Sequence, residues 1–274
     1  MADIDRPAIA QFGVGDAPAA LLLSTEAHWN QNEADWRFFL GNGFVFGVRD
    51  ESRLGATAAL LPYSEGNAWI SMVLVTHSWR RRGLATRLMQ ACLNAASERG
   101  ITPWLDATPA GAAVYGPLGF APTLQLRRLR LETGTPVAPR TAPAPNDLAP
   151  FVARDASAIG FARGDLLHEL AGRPRSRLVW HDGASALVRD GRAARHIGPL
   201  FADSAAGALA LVHDIAASES GTLLIDAVAE RDDFLRSLTN SGWTVERPFQ
   251  RMRLGRANAP RTELPFAVAG PEYG

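Results

Sequence analysis

Three arginines and a glycine, Arg80, Arg81, Arg82 and Gly83, separate an apolar run rich in β-branched residues from a long amphipathic segment. The apolar run is typical of a strand and the amphipathic segment of a helix. The first N–H groups of a helix have no acceptor within it, and the helix dipole favours negative charge at that end. Arginines there are unfavourable unless an anion joins them. The spacing Arg80-x-x-Gly83-x-Ala85 therefore predicts a pyrophosphate site built mainly from main chain.

The composition is that of a charge-balanced chain with an ample apolar core. It has 274 residues, 47% of them hydrophobic, and its 28 Lys and Arg balance 28 Asp and Glu. This balance gives no general electrostatic reason to bind nucleic acid or an anionic membrane. The first residues lack the basic and apolar regions of a signal peptide, and no apolar run is long enough to cross a membrane. We therefore expect a cytoplasmic protein without nucleic-acid or membrane partners.

The single cysteine, Cys92, excludes an internal disulfide. It lies on the apolar stripe of the segment that follows Gly83, with Leu84 and Leu88 on the same face. No histidine or asparagine context suggests a nucleophile, so we expect Cys92 to be a buried core residue.

Hydrophobic periodicity predicts a mixed α/β chain in two parts. In the first part the expected strands are residues 8–12, 43–49, 54–62, 69–75, 104–107 and 123–131, and the expected helices are 16–28, 33–40, 83–99 and 110–118. Residues 133–145 are rich in Pro, Thr and Ala, which is typical of a linker. From about residue 147 the expected helices are 165–171, 204–217 and 232–239, and the expected strands are 178–181, 185–189, 195–197, 223–226 and 244–254.

An internal repeat supports the division into two parts. Three motifs recur in order: Leu105-Asp106-Ala107 as Ile225-Asp226-Ala227, Gly119-Phe120 as Gly242-Trp243, and Arg128-Leu129-Arg130-Leu131 as Arg251-Met252-Arg253-Leu254. The distance from Phe120 to Arg128 equals that from Trp243 to Arg251. The alternative is chance similarity within an alanine-rich chain.

A second motif, Tyr115-x-x-x-Gly119-Phe120, follows the arginine–glycine turn. With Met72-Val73-Leu74-Val75 and Arg80-x-x-Gly83-x-Ala85 before it, and a predicted strand between, the region of about residues 8–131 resembles the GNAT acetyltransferase superfamily. The whole chain, with its tail Phe266-Ala267-Val268-Ala269-Gly270-Pro271-Glu272, resembles a bacterial tandem group in which a degenerate GNAT-like domain follows a GNAT domain. The resemblance implies an α/β fold with two domains, each a mixed, mostly antiparallel sheet flanked by helices. Their expected bounds are 1–132 and 147–274, with a linker at 133–146.

The resemblance also implies acetyl-CoA as co-substrate, without a metal. The backbone at residues 73–75 would pair with the pantetheine arm as an added strand, and one of its N–H groups would polarise the thioester carbonyl. The backbone at residues 80–86 would hold the pyrophosphate. The expected cofactor-binding residues are Val73, Leu74, Val75, Arg80, Arg81, Arg82, Gly83, Leu84, Ala85 and Thr86.

Tyr115 and Asp106 are the expected catalytic residues. Tyr115 stands at the family position of the general acid, and a phenol stays protonated at neutral pH; the alternative is a helix residue that packs at the core edge. Asp106, Glu65 and His77 are candidates for the general base. Asp106 is equally suited to bind a substrate ammonium group or to cap the helix after its strand. The alternative for His77 is a solvated turn residue.

The acceptor pocket and the second domain are predicted by analogy alone. Trp29, Asn30 and Gln31 border the acceptor pocket in this reading, and a polar helix cap is the alternative for the last two. Aligning Asp106 with Asp226 places Asp203 opposite Gly83, where a carboxylate repels pyrophosphate. The same alignment places Leu238 opposite Tyr115, so we expect no coenzyme A in the second domain. That domain is expected to pack on the first, complete its acceptor pocket or mediate formation of a homodimer.

The expected function is transfer of an acetyl group from acetyl-CoA directly to a primary amine of a small molecule. Two alternatives stay open: an N-acetyltransferase acting on proteins or peptides, and a non-catalytic acyl-CoA sensor. The sequence favours the small-molecule acceptor because a tandem second domain is expected to close the pocket.

Overall fold

The computed structural model describes residues 7–50, 53–136, 142–143, 147–255 and 263–274. These residues form twelve β-strands and eight α-helices. The chain divides into two compact units, Met1–Trp104 and Leu105–Gly274. Residues 1–6, which were considered for a signal peptide, lie outside the described residues. Most of the predicted linker also lies outside them, at 137–141 and 144–146.

The first unit follows the predicted order of strands and helices, with short 3-10 turns at Val14–Asp16 and His77–Trp79. Its elements are β1 (Ala10–Phe12), α1 (Ala17–Glu26), α2 (Glu33–Asn42), β2 (Phe44–Asp50), β3 (Arg53–Pro62), β4 (Asn67–Val75), α3 (Leu84–Glu98) and the start of β5 (Thr102–Ala107). The strands β1 to β4 pair antiparallel in sequence order. β4 then pairs parallel with β5 at three positions, from Asn67–Thr102 to Trp69–Trp104.

The helix α3 covers β3 and β4 with the apolar stripe that the sequence predicts. Leu88 and Cys92 on this stripe are both 0% exposed, so the expectation of a buried cysteine is confirmed. Burial of one such leucine contributes about 1.5–3 kcal/mol relative to leaving it exposed. Because the stripe anchors α3 against the sheet, it fixes the position of the helix N-terminus beside the end of β4.

The second unit is built around a long central strand. Its elements are α4 (Pro109–Tyr115), β6 (Phe120–Thr133), β7 (Ala142–Pro143), α5 (Ala149–Ile159), α6 (Gly164–Gly172), β8 (Arg177–His181), β9 (Ala184–Asp190), β10 (Arg195–Phe201), α7 (Ala205–Ser218), β11 (Gly221–Val228), α8 (Asp232–Asn240) and β12 (Thr244–Leu254). The strand order in this unit is β12-β6-β11-β10-β9-β8-β7. Among the described strand pairs of this unit, only β10 and β11 are parallel.

Each unit therefore holds a mixed, mostly antiparallel sheet with helices, as the sequence predicts. The helix α5 was not predicted, because it begins at the end of the proline-rich stretch and carries Pro150 in its first turn. The strand β6 pairs with β12 on one side and β11 on the other. Strand pairing therefore groups β6 with the second unit. The domain bounds 1–132, 133–146 and 147–274 stay a prediction from the sequence.

Candidate active site

A β-bulge in β4 interrupts the strand just before the predicted anion turn. Thr57 of β3 lies opposite Leu74 and Ala59 opposite Ser71, so Met72 and Val73 together face one residue of β3. Met72 has a left-handed backbone (φ 54°), and the Thr57 hydroxyl donates to its carbonyl oxygen at 2.9 Å. A bulge breaks the regular ladder and re-aims the strand. No glycine marks the position, which is why the sequence did not reveal it.

A cleft of about 630 Å³ opens in the first unit beside the end of β4. It is lined by the end of β4, by the turn that follows, by the start of α3, and by residues 26–29 at the end of α1. Nine of the ten residues predicted to bind the cofactor line this cleft, and Arg82 does not. The structure thus brings the apolar strand and the glycine turn to one surface, while their ligand stays a prediction.

The N-terminus of α3 meets the cleft without a side-chain cap. Gly83 is the N-cap residue in a left-handed conformation (φ 72°), which favours glycine. The first backbone bond of the helix runs from the Arg87 N–H to the Gly83 carbonyl at 3.1 Å. The N–H groups of residues 84–86 precede that bond and have no acceptor within the helix. This is the geometry of an anion site.

The three arginines all lie exposed on the turn. Arg80 donates from Nε to the Val75 carbonyl at 3.2 Å, which ties the turn back to β4. Arg81 has a left-handed backbone (φ 62°) and, like Arg80, lines the cleft. The charge that the sequence places here is therefore available at the rim of the cleft.

Glu26, at the end of α1, is a cleft residue that the sequence analysis missed. Its carboxylate accepts from the His77 N–H at 2.6 Å and from the Thr76 hydroxyl at 2.8 Å, with Arg53 at 3.5 Å. The hydrogen bond from His77 lowers the pKa of Glu26 below its ordinary value. Fifty residues of sequence separate Glu26 from this turn, so no local pattern could have found it.

The alternative base candidates differ in their positions. His77 is exposed and lines the cleft, and its Nδ1 lies 3.7 Å from Glu26. Glu65 is exposed in the turn before β4 and does not line the cleft. Trp29 lines the cleft. Asn30 and Gln31, the next two residues in the sequence, are buried and do not line it.

The polar cap of α2 is neither Asn30 nor Gln31. Asn32 caps the helix: its side chain accepts from the Asp35 N–H at 3.1 Å, and the Asp35 carboxylate accepts from the Asn32 N–H at 2.8 Å. This reciprocal pair is a capping box. The alternative that Asn30 or Gln31 caps the helix is therefore wrong, because the cap lies one or two residues later.

Tyr115 ends α4 in the second unit. Its ring is half-buried and lies 6.2 Å from the ring of Phe120. Thr108 caps α4 by accepting from the Gly111 N–H at 3.2 Å, so Asp106 is not the cap. The catalytic role of Tyr115 stays a prediction.

The side chain of Asp106 is 0% exposed, and both its oxygens accept from Arg251, at 2.9 and 2.8 Å. Burial raises the pKa of the Asp106 carboxyl, and the neighbouring Arg251 only partly offsets this effect. Because both carboxylate oxygens accept hydrogen bonds from Arg251, a structural role for Asp106 is favoured over a catalytic one. The catalytic role of Asp106 stays a prediction.

The repeat partner of Asp106 is held in the same way. Asp226 accepts from Arg128 at 2.8 and 2.7 Å and lies 2.8 Å from His196 Nε2. Burial again acts to raise its pKa, but Arg128 and His196 hold the pKa of Asp226 well below its usual range. Each aspartate thus pairs with the arginine of the other repeat copy. The repeated Asp and Arg motifs thus form two ion pairs between the repeat copies, which the sequence did not show.

The second copy of the anion turn has a side-chain cap and a carboxylate where the first copy has uncapped backbone. Ser204 caps α7 by accepting from the Gly207 N–H at 3.1 Å. Asp203 accepts from Arg154 at 2.9 Å and approaches the position that a side chain at Gly183 would fill. Leu238, opposite Tyr115 in the alignment, is 0% exposed within α8. These contacts support the prediction that this copy holds no coenzyme A.

Comparison with known proteins identifies the class. The model of the acetyltransferase (GNAT) family matches residues 17–120, and a model described as an acetyltransferase (GNAT) domain matches residues 152–266. The chain therefore belongs to the GNAT acetyltransferases and carries two GNAT domains in tandem. No described helix is long and apolar enough to span a membrane.

Individual relatives are similar to this chain over most of its length at low sequence identity. The Bacillus subtilis protein YitH, described as an uncharacterized N-acetyltransferase, is 24% identical over 81% of this chain and 83% of its own length. A Pyrococcus horikoshii protein assigned as an acetyltransferase has a TM-score of 0.81 at 18% identity, covering 97% of this chain and 95% of its own. A tandem GNAT protein from the clavulanic acid biosynthesis pathway has a TM-score of 0.65 at 14% identity, over 92% and 100%. These structural likenesses show the fold.

Proposed function

We propose that this protein transfers an acetyl group from acetyl-CoA to the primary amine of a small molecule. One observation carries the proposal: in one cleft, a strand freed by a bulge leads directly to an uncapped helix N-terminus. The residues fit the co-substrate. The turn offers backbone N–H groups and arginines to a pyrophosphate, and the β4 edge offers main-chain groups to an amide-containing arm.

Each part of the cleft then has a role. Backbone N–H groups of residues 83–86 bind the pyrophosphate, and Arg80 and Arg81 neutralise it at the rim. The main chain of residues 73–75 orients the pantetheine arm, and one of its N–H groups polarises the carbonyl of the activated acetyl group that acetyl-CoA supplies. The role of Tyr115 comes from the family motif and not from the geometry of the cleft: it donates a proton to the departing thiolate. No covalent intermediate on the protein is needed, because the amine attacks directly.

The acceptor amine must lose a proton when it attacks. His77 lines the cleft and Glu26 lies beside it, so these two residues offer a route for that proton from the cleft side. We propose His77 as the base in place of Asp106.

The first test measures binding of acetyl-CoA by titration calorimetry. We expect one site per chain, since only the first copy retains an open turn. Ala85→Glu should weaken binding at least about tenfold, which corresponds to about 1.4 kcal/mol, because it places a carboxylate at the exposed helix start. Gln90→Glu is the matched control, since it adds the same charge to an exposed position further along α3. Two sites per chain, or equal affinities of the two variants, would contradict the assignment.

Turnover is followed as release of coenzyme A thiol with a panel of small amines and peptides. Cys92 does not interfere, because burial raises the pKa of its thiol to about 12. Faster release with small amines than with peptides supports the proposal. Preference for peptides indicates a protein acetyltransferase, and binding without transfer to any amine indicates a sensor.

A second variant tests the support beneath the turn. Gly55 of β3 lies under the ring of Trp79, and a Cβ at Gly55 would stand 2.2 Å from that ring. Gly55→Ala is therefore expected to displace Trp79, cost about 1–3 kcal/mol of stability and weaken acetyl-CoA binding. Gly41→Ala is the control, since its Cβ would meet Val14 at an ordinary 3.6 Å. Calorimetry and urea unfolding measure both effects; unchanged affinity in Gly55→Ala would show that Trp79 does not shape the turn.

A further inference from the structure

The last segment of the chain enters the sheet of the second unit as a short strand between β10 and β11. On one side, the Phe266 N–H donates to the Leu200 carbonyl at 2.9 Å, and the Leu200 N–H donates to the Ala267 carbonyl at 3.0 Å. On the other side, the Val228 N–H donates to the Phe266 carbonyl and the Val268 N–H to the Asp226 carbonyl, both at 3.0 Å. Residues 266–268 thus bridge β10 and β11 beyond residues 197 and 225, where the two strands no longer pair with each other.

The groove that receives this segment has the same construction as the β4–β5 pair. The parallel ladder of β10 and β11 covers three positions, from Arg195–Leu223 to Ile197–Ile225, and then ends. A register shift in β10 follows at once, with Gly198 and Pro199 together opposite one residue of β9. In the first copy, three parallel pairs end at Trp69–Trp104 and a bulge follows at Met72 and Val73.

Two side chains anchor the segment, one at the first bridging residue and one six positions later. Phe266 is 2% exposed and packs edge-to-face on Phe234 at 5.2 Å, with the Arg231 guanidinium 4.2 Å from its ring centre. Glu272 is 7% exposed, and its carboxylate accepts from Arg189 at 3.0 Å.

Hydrogen bonds from arginines to main-chain carbonyls hold the segment as far as Tyr273. Arg189 also donates to the Ala269 carbonyl at 2.7 Å, and Arg163 donates to the Tyr273 carbonyl at 2.8 Å. Gly198 leaves room for the backbone: a Cβ there would lie 2.0 Å from the Val268 carbonyl oxygen. Main-chain pairing, an aromatic anchor and a buried charge pair are what a site needs to recognise an extended peptide.

We propose that the groove between β10 and β11 is a peptide-binding site and that its resident ligand is the chain's own segment 264–274. Its ligand class is an extended peptide with an aromatic residue at the position of Phe266 and an acidic residue six positions later. The segment occupies the slot that, under the proposed function, the pantetheine arm takes in the first copy. Only that comparison rests on the proposed function; the peptide site stands on its own contacts.

The test separates the segment from the rest of the folded chain. A specific protease site is placed within residues 256–262 of the full-length protein, which folds intact and is then cleaved. We expect the cleaved segment to co-elute with the body in gel filtration. After it is washed off in mild urea, the body should bind a fluorescent peptide of residues 263–274 saturably, measured by anisotropy. Uncleaved protein, whose groove is filled, is the control and should not bind.

Peptide variants and acetyl-CoA make the result specific. Phe266→Ala and Glu272→Gln peptides are each expected to bind at least about tenfold more weakly than the natural sequence. Acetyl-CoA should not displace the natural peptide, because Asp203 and Ser204 close the neighbouring anion turn. A body that keeps its circular dichroism but fails to bind the peptide would overturn the proposal, as would equal binding of a scrambled peptide or displacement by acetyl-CoA. None of these readouts depends on acetyl transfer, so failure here is distinct from failure of the proposed function.

Discussion

Replacing Arg128 by methionine is expected to lower the free energy of unfolding by about 3–5 kcal/mol, the cost of leaving one partner of a buried ion pair unpaired. Asp226 is 0% exposed and holds Arg128 through both oxygens. Its other partner, His196, is a poor replacement for the lost charge, because burial lowers the pKa of His196. Urea unfolding at pH 7 measures the loss.

Arg130→Met is the matched control, since Arg130 lies two residues further along the same strand and is 46% exposed in its pair with Glu132. Removing an exposed pair is expected to cost at most about 1 kcal/mol. The double variant Arg128→Met, Asp226→Asn should recover part of the loss, because it removes the stranded charge. Equal unfolding free energies for the Arg128 and Arg130 variants would show that the exchanged ion pairs do not hold the second unit together.

Acid adds a second readout of the same pair. Because the folded pKa of Asp226 is held below its ordinary value, the stabilisation is fully present above the unfolded value of about 3.9. It is lost as the pH falls through the folded pKa, since the unfolded chain then binds the proton first. The Arg128→Met variant should therefore lose less stability than the wild type between about pH 4 and pH 2.

Local patterns in the sequence predicted what neighbouring residues determine. The apolar run, the glycine and the amphipathic stripe lie within thirty residues, and they are found as β4, the turn and α3 in that order. The repeat of the Asp and Arg motifs was also visible, because it is a matter of residue identity. The mixed α/β fold followed from the same patterns, the resemblance implied two GNAT domains, and both are confirmed.

Contacts between distant residues were not predictable in this way. Glu26 reaches the turn from 50 residues away, and Asp106 pairs with Arg251 from 145 residues away. No strand was predicted at Phe266, yet this segment pairs with Leu200 and Val228 in the interior of a sheet. Pairing of this kind depends on which strand edges are left open, and that is decided only when the whole sheet has formed.

Replacing Tyr115 by phenylalanine is expected to lower kcat by about 10²–10⁴-fold, the usual contribution of a general acid. The variant removes one oxygen atom and with it the proton proposed for the departing thiolate. The KM for acetyl-CoA should change little, because the proposed binding groups belong to β4 and the turn. Steady-state release of coenzyme A thiol measures both constants, and a pre-steady-state burst shows whether product release limits turnover.

The hydroxyl and the ring of Tyr115 make different contributions, which allows the alternative role to be tested on the same residue. The ring lies beside Phe120 and approaches Gly111, and Tyr115→Phe keeps these contacts. A packing residue would therefore leave turnover and melting temperature nearly unchanged in the Phe variant and lose stability only in Tyr115→Leu. A general acid would lose turnover in both variants while Tyr115→Phe keeps its melting temperature. Tyr63→Phe, which removes the same atom in the turn after β3, should leave kcat within about twofold of the wild type, as expected of a substitution away from the reacting atoms.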